Sequence, residues 1–457
     1  MFTKLRQIIA GKATFLRSVG IYGIAGMLEK AIPFLLLPVL TRLLSTYDYG
    51  VLATFNALRL NLHAVLSLST SGAVGRAFYD RRETGFNFPG YTFNALVVNT
   101  LMLAPVLLAV VCFQDWIPGA ETMSRGWLIF IVLSFWATAL ASIRTKLWVF
   151  EARPAAFGTF NVLKITANYC LSLALVLVWR QSWEGRIAGI GLVEMSFCLL
   201  ALIILQREGG LHFHLNRAYF KDILKFGLPL LPHGFGLVAM TTLDKFYLNA
   251  MYGVDVTGIY GVGFTLGSIV TMIALPIDIA AEPYIYTRLS NMDRDGALRL
   301  VVYTYLYMFC LVAAALLVWL LAPVILKVFV DPKFFGAEAY VFWVSLGYAA
   351  FCMRRILTRY ITYSKKTYLI TLTTVLAALV ALVANYVLIT LNGPVGAAQA
   401  ICLTFVFYML ITWVIAGRLY PMPWLAILKP VRVRELYIAL RTVPKPSSAG
   451  GDHSHKA

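Results

Sequence analysis

The chain has 457 residues, of which 60% are hydrophobic and 13% charged, against roughly a quarter charged in a soluble globular domain. A soluble fold cannot hide so much apolar surface, and the apolar runs recur from Phe15 to Gly417 with no polar stretch long enough for a separate soluble core. The 39 Lys and Arg outnumber the 21 Asp and Glu, giving +18. Because these cations sit between apolar runs, the excess points to membrane topology and not to nucleic acid.

In chain order, the start MFTKLRQIIAGKATFLR is basic like a signal peptide. The apolar segment after it is too long for an h-region and lacks a small-x-small site, so it is expected to be retained. A bilayer core needs about twenty apolar residues per helix. That length places spans near 16–41, 49–72, 91–113, 127–150, 156–179 and 187–206, then 224–251, 256–284, 300–325, 338–362, 368–391 and 396–417. The expected fold is all-α and polytopic, with about 12 transmembrane helices.

Lys and Arg collect on the cytoplasmic side of membrane proteins. One set of alternate connections carries 29 of them and the other six, with Lys30, Arg59, Lys164 and Lys245 inside spans. This asymmetry predicts an even number of spans with both termini cytoplasmic. The expected organisation is a cytoplasmic N-terminus (1–15), helices one to six (16–206), a cytoplasmic linker (207–223), helices seven to twelve (224–417) and a basic cytoplasmic tail (418–457) whose end is disordered. The external connections are short, which leaves no room for a catalytic domain.

An intramembrane charge needs a cavity, a partner or an interface, so the polar residues within spans are the candidates for function. Asn56, Arg59, His63, Ser67 and Thr70 share one face of the second span, and Asn161, Lys164, Asn168 and Ser172 share one face of the fifth. Both stripes read as cavity walls. Arg59, Lys164, Lys30 and Lys245 are candidate ligands for an anionic substrate group, with Asn161, Asn168 and His63 beside them. Glu29, Asp244 and Asp278 are candidates for ion coupling. The competing reading pairs such charges between helices, for example Glu29 with Lys164 or Asp244 with Arg59.

No metal site, cofactor site or disulfide framework is expected. The six cysteines lie in apolar runs without CxxC spacing, His212 and His214 lack companion ligands, and GIGLVE lacks the context of a phosphate loop.

The halves echo each other. Gly50 in YDYGVLATF matches Gly258 in DVTGIYGVGF at an offset of 208, and Gly189 in RIAGIGLVE matches Gly396 in GPVGAAQAI at 207. Paired bundles of this kind surround a central site in many transporters.

IPFLLLPVLTRLLSTYDYG, LKFGLPLLPHGFGLVAMTTLDKFYLNAMYGVDVTGIYGVGF, the Glu282-Pro283 region and NGPVGAAQAICLTF occur in an order that resembles the polysaccharide flippases of the multidrug/oligosaccharidyl-lipid/polysaccharide exporter superfamily. The resemblance implies two six-helix lobes around a central cavity in a bacterial inner membrane. It also implies a substrate of undecaprenyl diphosphate carrying an oligosaccharide for O-antigen, capsule or exopolysaccharide. Partners would be the bilayer, this lipid-linked oligosaccharide, and the polymerase and glycosyltransferases of the same pathway, with no nucleic acid. The function so implied is not enzymatic. The rival readings are a multidrug exporter of the same superfamily and, from another class, a membrane-embedded polymerase or acyltransferase.

Overall fold

The computed structural model describes residues 34, 37–80, 86–114, 123–178, 182–290, 294–364, 366 and 368–424. Lys30, Glu29, most of the expected first span and the tail beyond 424 lie outside them. Among the described residues the regular elements are all helical. The first half comprises α1 (Leu37–Leu43), α2 (Thr46–Ser67), α3 (Thr70–Asp80), α4 (Phe88–Cys112), α5 (Arg125–Phe150), α6 (Pro154–Val178) and α7 (Trp183–Arg207). The second comprises α8 (Arg217–Gly227), α9 (Leu231–Tyr252), α10 (Val254–Gly267), α11 (Val270–Ser290), α12 (Arg294–Phe329), α13 (Glu338–Tyr363), α14 (Tyr368–Asn392) and α15 (Val395–Leu419).

Among the described residues ten helices are long and apolar enough to cross a membrane, and eleven when the bent pair α2 and α3 is one span. The ten fall on expected spans three to twelve and the bent pair on span two. Two boundaries differ. Span seven starts at Arg217, inside the stretch expected as linker, because α8, a 3₁₀ turn at Leu228–Leu230 and α9 follow one path to Tyr252. Span eight, expected unbroken over 256–284, divides around Ser268 and Ile269 into α10 and α11.

A large apolar core, including Tyr260, Leu311, Val344, Tyr360, Phe405 and Tyr408, organises α9 to α15. Two further clusters organise the first half. One runs through Tyr91, Ile143, Trp148 and Phe160, the other through Val51, Phe55, Phe135 and Ile187.

The start of α2 ties several elements together. Ser45 and Asp48 form a capping box, with Asp48 accepting from the Ser45 N–H at 2.9 Å, and the other Asp48 oxygen accepts from the Trp183 N–H at 3.0 Å. One nearly buried carboxylate thereby satisfies the first orphan donors of both α2 and α7. Thr46 donates to Asp255 at the start of α10.

Below these caps α2 and α10 cross at the two repeat-related glycines. A Cβ on Gly50 would lie 1.9 Å from the Val254 carbonyl oxygen, and one on Gly258 would lie 2.0 Å from that of Thr46. Each glycine meets the residue four before the other, so the contact obeys the offset of 208 in both directions. Only glycine permits so close a backbone approach.

The α2–α3 junction bends by 44°. Leu68 and Ser69 take positive φ values of 41° and 52°, and Gly227 abuts the Leu68 carbonyl, where a Cβ would meet its oxygen at 2.2 Å. A broken helix in hydrocarbon frees carbonyls that water cannot reach. Asn99 of α4, fully buried, meets this need: with its amide turned to donate, it reaches the carbonyls of Leu66 at 3.2 Å and Ser67 at 3.1 Å.

Two outcomes are expected. Gly258→Val should separate α2 from α10, sharply reducing disulfide cross-linking between cysteines introduced at Thr46 and Asp255 in a cysteine-free background, with membrane insertion retained. Asn99→Leu leaves the Leu66 and Ser67 carbonyls unpaired at about 1–3 kcal/mol, which should lower the melting temperature in detergent. Asn99→Gln should recover part of that loss.

Candidate substrate cavity

Where α2, α6, α7, α9 and α10 converge, the packing leaves a cavity of 400 Å³. Helical spacing explains its lining. Tyr49, Ala53, Asn56 and Arg59 recur along one face of α2, Lys164 and Asn168 along α6, and Arg186, Ile190 and Glu194 along α7. Lys245 of α9 and Phe264 and Thr265 of α10 close the opposite wall. A second chamber of 230 Å³ adjoins it, lined by residues of α2, α5 and α6. Arg59 and Lys164 line both spaces.

Among the described residues, four cations and one carboxylate face the main cavity. Lys164 pairs with Glu194 at 3.4 Å. Lys245 pairs with Asp244 at 3.1 Å, donates to the Thr241 carbonyl at 3.1 Å and lies 3.6 Å from the centroid of the Phe264 ring. The Asp244 carboxylate, 2% exposed behind Lys245, also accepts from the Tyr260 hydroxyl. Arg186 donates to Asn168 Oδ1 at 2.8 Å and stacks over Tyr169 at 4.8 Å. Neither Arg59 nor Arg186 has a carboxylate within salt-bridge distance among the described residues. A guanidinium held in an apolar wall without a counter-charge is a preformed anion donor.

The expected site residues distribute as follows. Arg59, Lys164, Asn168 and Lys245 line the main cavity, while His63 and Asn161 line the adjoining chamber. Lys30 and Glu29 fall outside the described residues. Asp244 reaches the cavity only through Lys245. Asp278 is elsewhere: fully buried between α11, α12 and α13, it accepts from the Tyr307 hydroxyl at 2.9 Å and pairs with Arg355 at 3.0 Å. Its carbonyl accepts from Arg359, which also pairs with Glu282 at 3.6 Å. The interhelical pairing considered from sequence, Asp244 with Arg59, is not formed, because Lys245 is its immediate neighbour. Lys164 takes Glu194 as its partner.

Two charged lining residues, Arg186 and Glu194, are not among the sequence candidates. Arg186 lies just before expected span 187–206, yet α7 begins at Trp183 and carries it into the wall. Glu194 lies within that span. Their spacing of eight with Ile190 between is the signal that could have revealed them, since it puts both on one face. Ser67 and Thr70 of the expected α2 stripe belong to the helix break, where Thr70 hydrogen-bonds Asn99.

This arrangement has relatives. A protein-family model described as polysaccharide biosynthesis protein matches residues 15–287. The Lsg locus putative protein 1 of Haemophilus influenzae is 26% identical over 372 residues, covering 79% of this chain and 88% of the relative. An uncharacterized membrane protein of the same organism is 24% identical over 382 residues, covering 80% and 88%. Among solved structures, an inward-facing multidrug resistance MATE family transporter of the MOP superfamily aligns with a TM-score of 0.67 at 12% identity, over 84% of this chain and 94% of that one. The lipid II flippase MurJ in an inward closed conformation aligns with a TM-score of 0.62 at 12% identity, over 96% and 93%. The fold is therefore that of polytopic MATE and MurJ transporters, and by the family model that spans more than half of its length the chain belongs to the polysaccharide biosynthesis protein family.

Proposed function

We propose that the protein is a flippase that moves undecaprenyl-diphosphate-linked oligosaccharide repeat units across the bacterial inner membrane for polysaccharide synthesis. The observation that carries this reading is the charge of the cavity: among the described residues four cations face it against one carboxylate, and neither Arg59 nor Arg186 has a carboxylate partner there. Burying such a cation costs roughly 2.5–3.5 kcal/mol on insertion scales, a cost that an anionic headgroup offsets by supplying the missing counter-charge. A diphosphate matches guanidinium geometry, which binds oxyanions through two parallel donors.

Family membership and the MurJ-like fold agree with this substrate class. The polyprenyl tail would stay in the bilayer while the headgroup passes through the polar interior, so no covalent chemistry is required of the chain. The close α2–α10 crossing would seal one end of the path and open in the alternate state. Both termini, and the basic connections, would face the cytoplasm. Arg59 and Lys164, common to both spaces, would hold the diphosphate, with Lys245, Arg186 and Asn168 completing the wall and Lys30 as a further donor. Asp244 and Glu29 are the candidate carboxylates for ion coupling, Asp244 through its ion pair with Lys245. Asp278, set among Arg355, Arg359 and Tyr307, would act there only through α11 and α13.

Loss of one charge-assisted hydrogen-bonding group costs about 1.5–3 kcal/mol, or roughly ten- to a hundredfold in affinity. Arg59→Ala should weaken binding of undecaprenyl diphosphate by that factor and stop surface polysaccharide production in cells, with membrane abundance unchanged. Arg59→Lys, which keeps the charge but not the fork, should restore only part. Full polysaccharide in the Arg59→Ala strain would refute the assignment. Altered drug tolerance with normal polysaccharide in a gene deletion would favour the exporter reading.

A further inference from the structure

The chamber beside the main cavity has a different chemistry from the cationic wall. Thr138, Ser142 and Thr145 of α5 stand at spacings of four and three, forming a hydroxyl stripe that faces it, with Asn161 opposite on α6. Each of these hydroxyls donates its single hydrogen to its own helix: Thr138 to the Ser134 carbonyl at 3.0 Å, Ser142 to that of Ala139 at 2.6 Å and Thr145 to that of Ser142 at 3.0 Å. Asn161 Nδ2 likewise donates to the Phe157 carbonyl at 2.9 Å. With the hydroxyl hydrogens committed, the oxygens can only accept from a ligand. His63 Nδ1 is buried at the same chamber with no hydrogen-bond partner among the described residues. Phe135 and Phe160 supply apolar faces, and Arg59 and Lys164, which only donate, stand at the border with the main cavity.

The chamber therefore calls for a ligand rich in hydrogen-bond donors, with some apolar surface, attached directly to an anion. A sugar ring linked to phosphate has this sequence of groups: hydroxyls that donate, C–H faces that rest on aromatic rings, and a phosphate within reach of the border cations. A cationic drug would meet Arg59 and Lys164 at the entrance, and an apolar chain would leave the acceptors unmatched.

We infer that this α2–α5–α6 chamber is the subsite for the first sugar of the headgroup, with Thr138, Ser142, Thr145 and Asn161 as the residues that recognise its hydroxyls. The inference rests on the flippase reading, since it takes the diphosphate to lie on Arg59 and Lys164. The subsite lies wholly in the first half of the chain, so the sugar is gripped by one bundle while Lys245 of the other faces the phosphate from across the main cavity.

The test compares two probes on purified protein: undecaprenyl diphosphate, and the lipid-linked oligosaccharide recovered from cells lacking the gene. Thr138→Val and Ser142→Ala remove acceptors with little change of shape. Together they should weaken the oligosaccharide probe roughly tenfold and leave undecaprenyl diphosphate unchanged, while Thr138→Ser, which keeps the acceptor, binds both like wild type. Ser142→Leu, which fills the chamber, should exclude the oligosaccharide and still admit undecaprenyl diphosphate. Equal affinity of the variants for the oligosaccharide would overturn the subsite. So would parallel loss of both probes in variants whose melting temperature matches wild type. Wild-type protein that binds neither probe would instead defeat the flippase reading itself, and the subsite with it.

Discussion

Polar groups in hydrocarbon must find partners inside the protein, and the whole architecture follows from this requirement. The backbone meets it by being helical throughout its described spans. Where the chain departs from a helix, a side chain or a glycine contact is supplied at that point. At the α2–α3 bend, Asn99 reaches the carbonyls freed at Leu66 and Ser67. At the starts of α2 and α7, Asp48 caps both helices. Charges obey the same rule: Asp278 is enclosed by Arg355 and Tyr307, and Asp244 by Lys245 and Tyr260. Arg59 and Arg186 stand out because no carboxylate lies within salt-bridge distance of either among the described residues, and they stand where the structure leaves a void.

The glycine crossing joins the two halves. Backbones are in direct contact at Gly50 and Gly258, and beside them side chains of the two halves pack together, with the Tyr49 ring edge-on to that of Phe334 at 5.0 Å between centroids. The seam holds by van der Waals contact and by hydrogen bonds, among them Thr46 with Asp255 and Asn61 of α2 with Thr242 of α9. The apolar cores also reach across the seam: Leu37 of α1 belongs to the large core of α9 to α15, and Ile223 of α8 belongs to a cluster of the first half.

Chemistry divides the interior in a corresponding way. Donor-only cations occupy the main cavity and its border, whereas the α5 hydroxyl stripe presents acceptors to the smaller chamber. Neither composition alone names a ligand. Their adjacency narrows it to ligands that carry hydrogen-bond donors close to an anionic group.

The apolar runs and the loop charges by themselves determined the helical class, the spans and their order, because hydrophobic length and period are local properties of the chain. The helical period likewise put Arg59 with Asn56 and Lys164 with Asn168 on common faces, and the offset of 208 marked the two glycines that cross. Which charge meets which was decided by tertiary structure alone. Lys164 finds Glu194, Asp278 finds Arg355 and leaves the cavity, and Arg186 enters it, because pairing depends on how helices distant in sequence are rotated and brought into register. A single helix records only which residues share a face, and it takes the neighbouring helices to decide what that face sees.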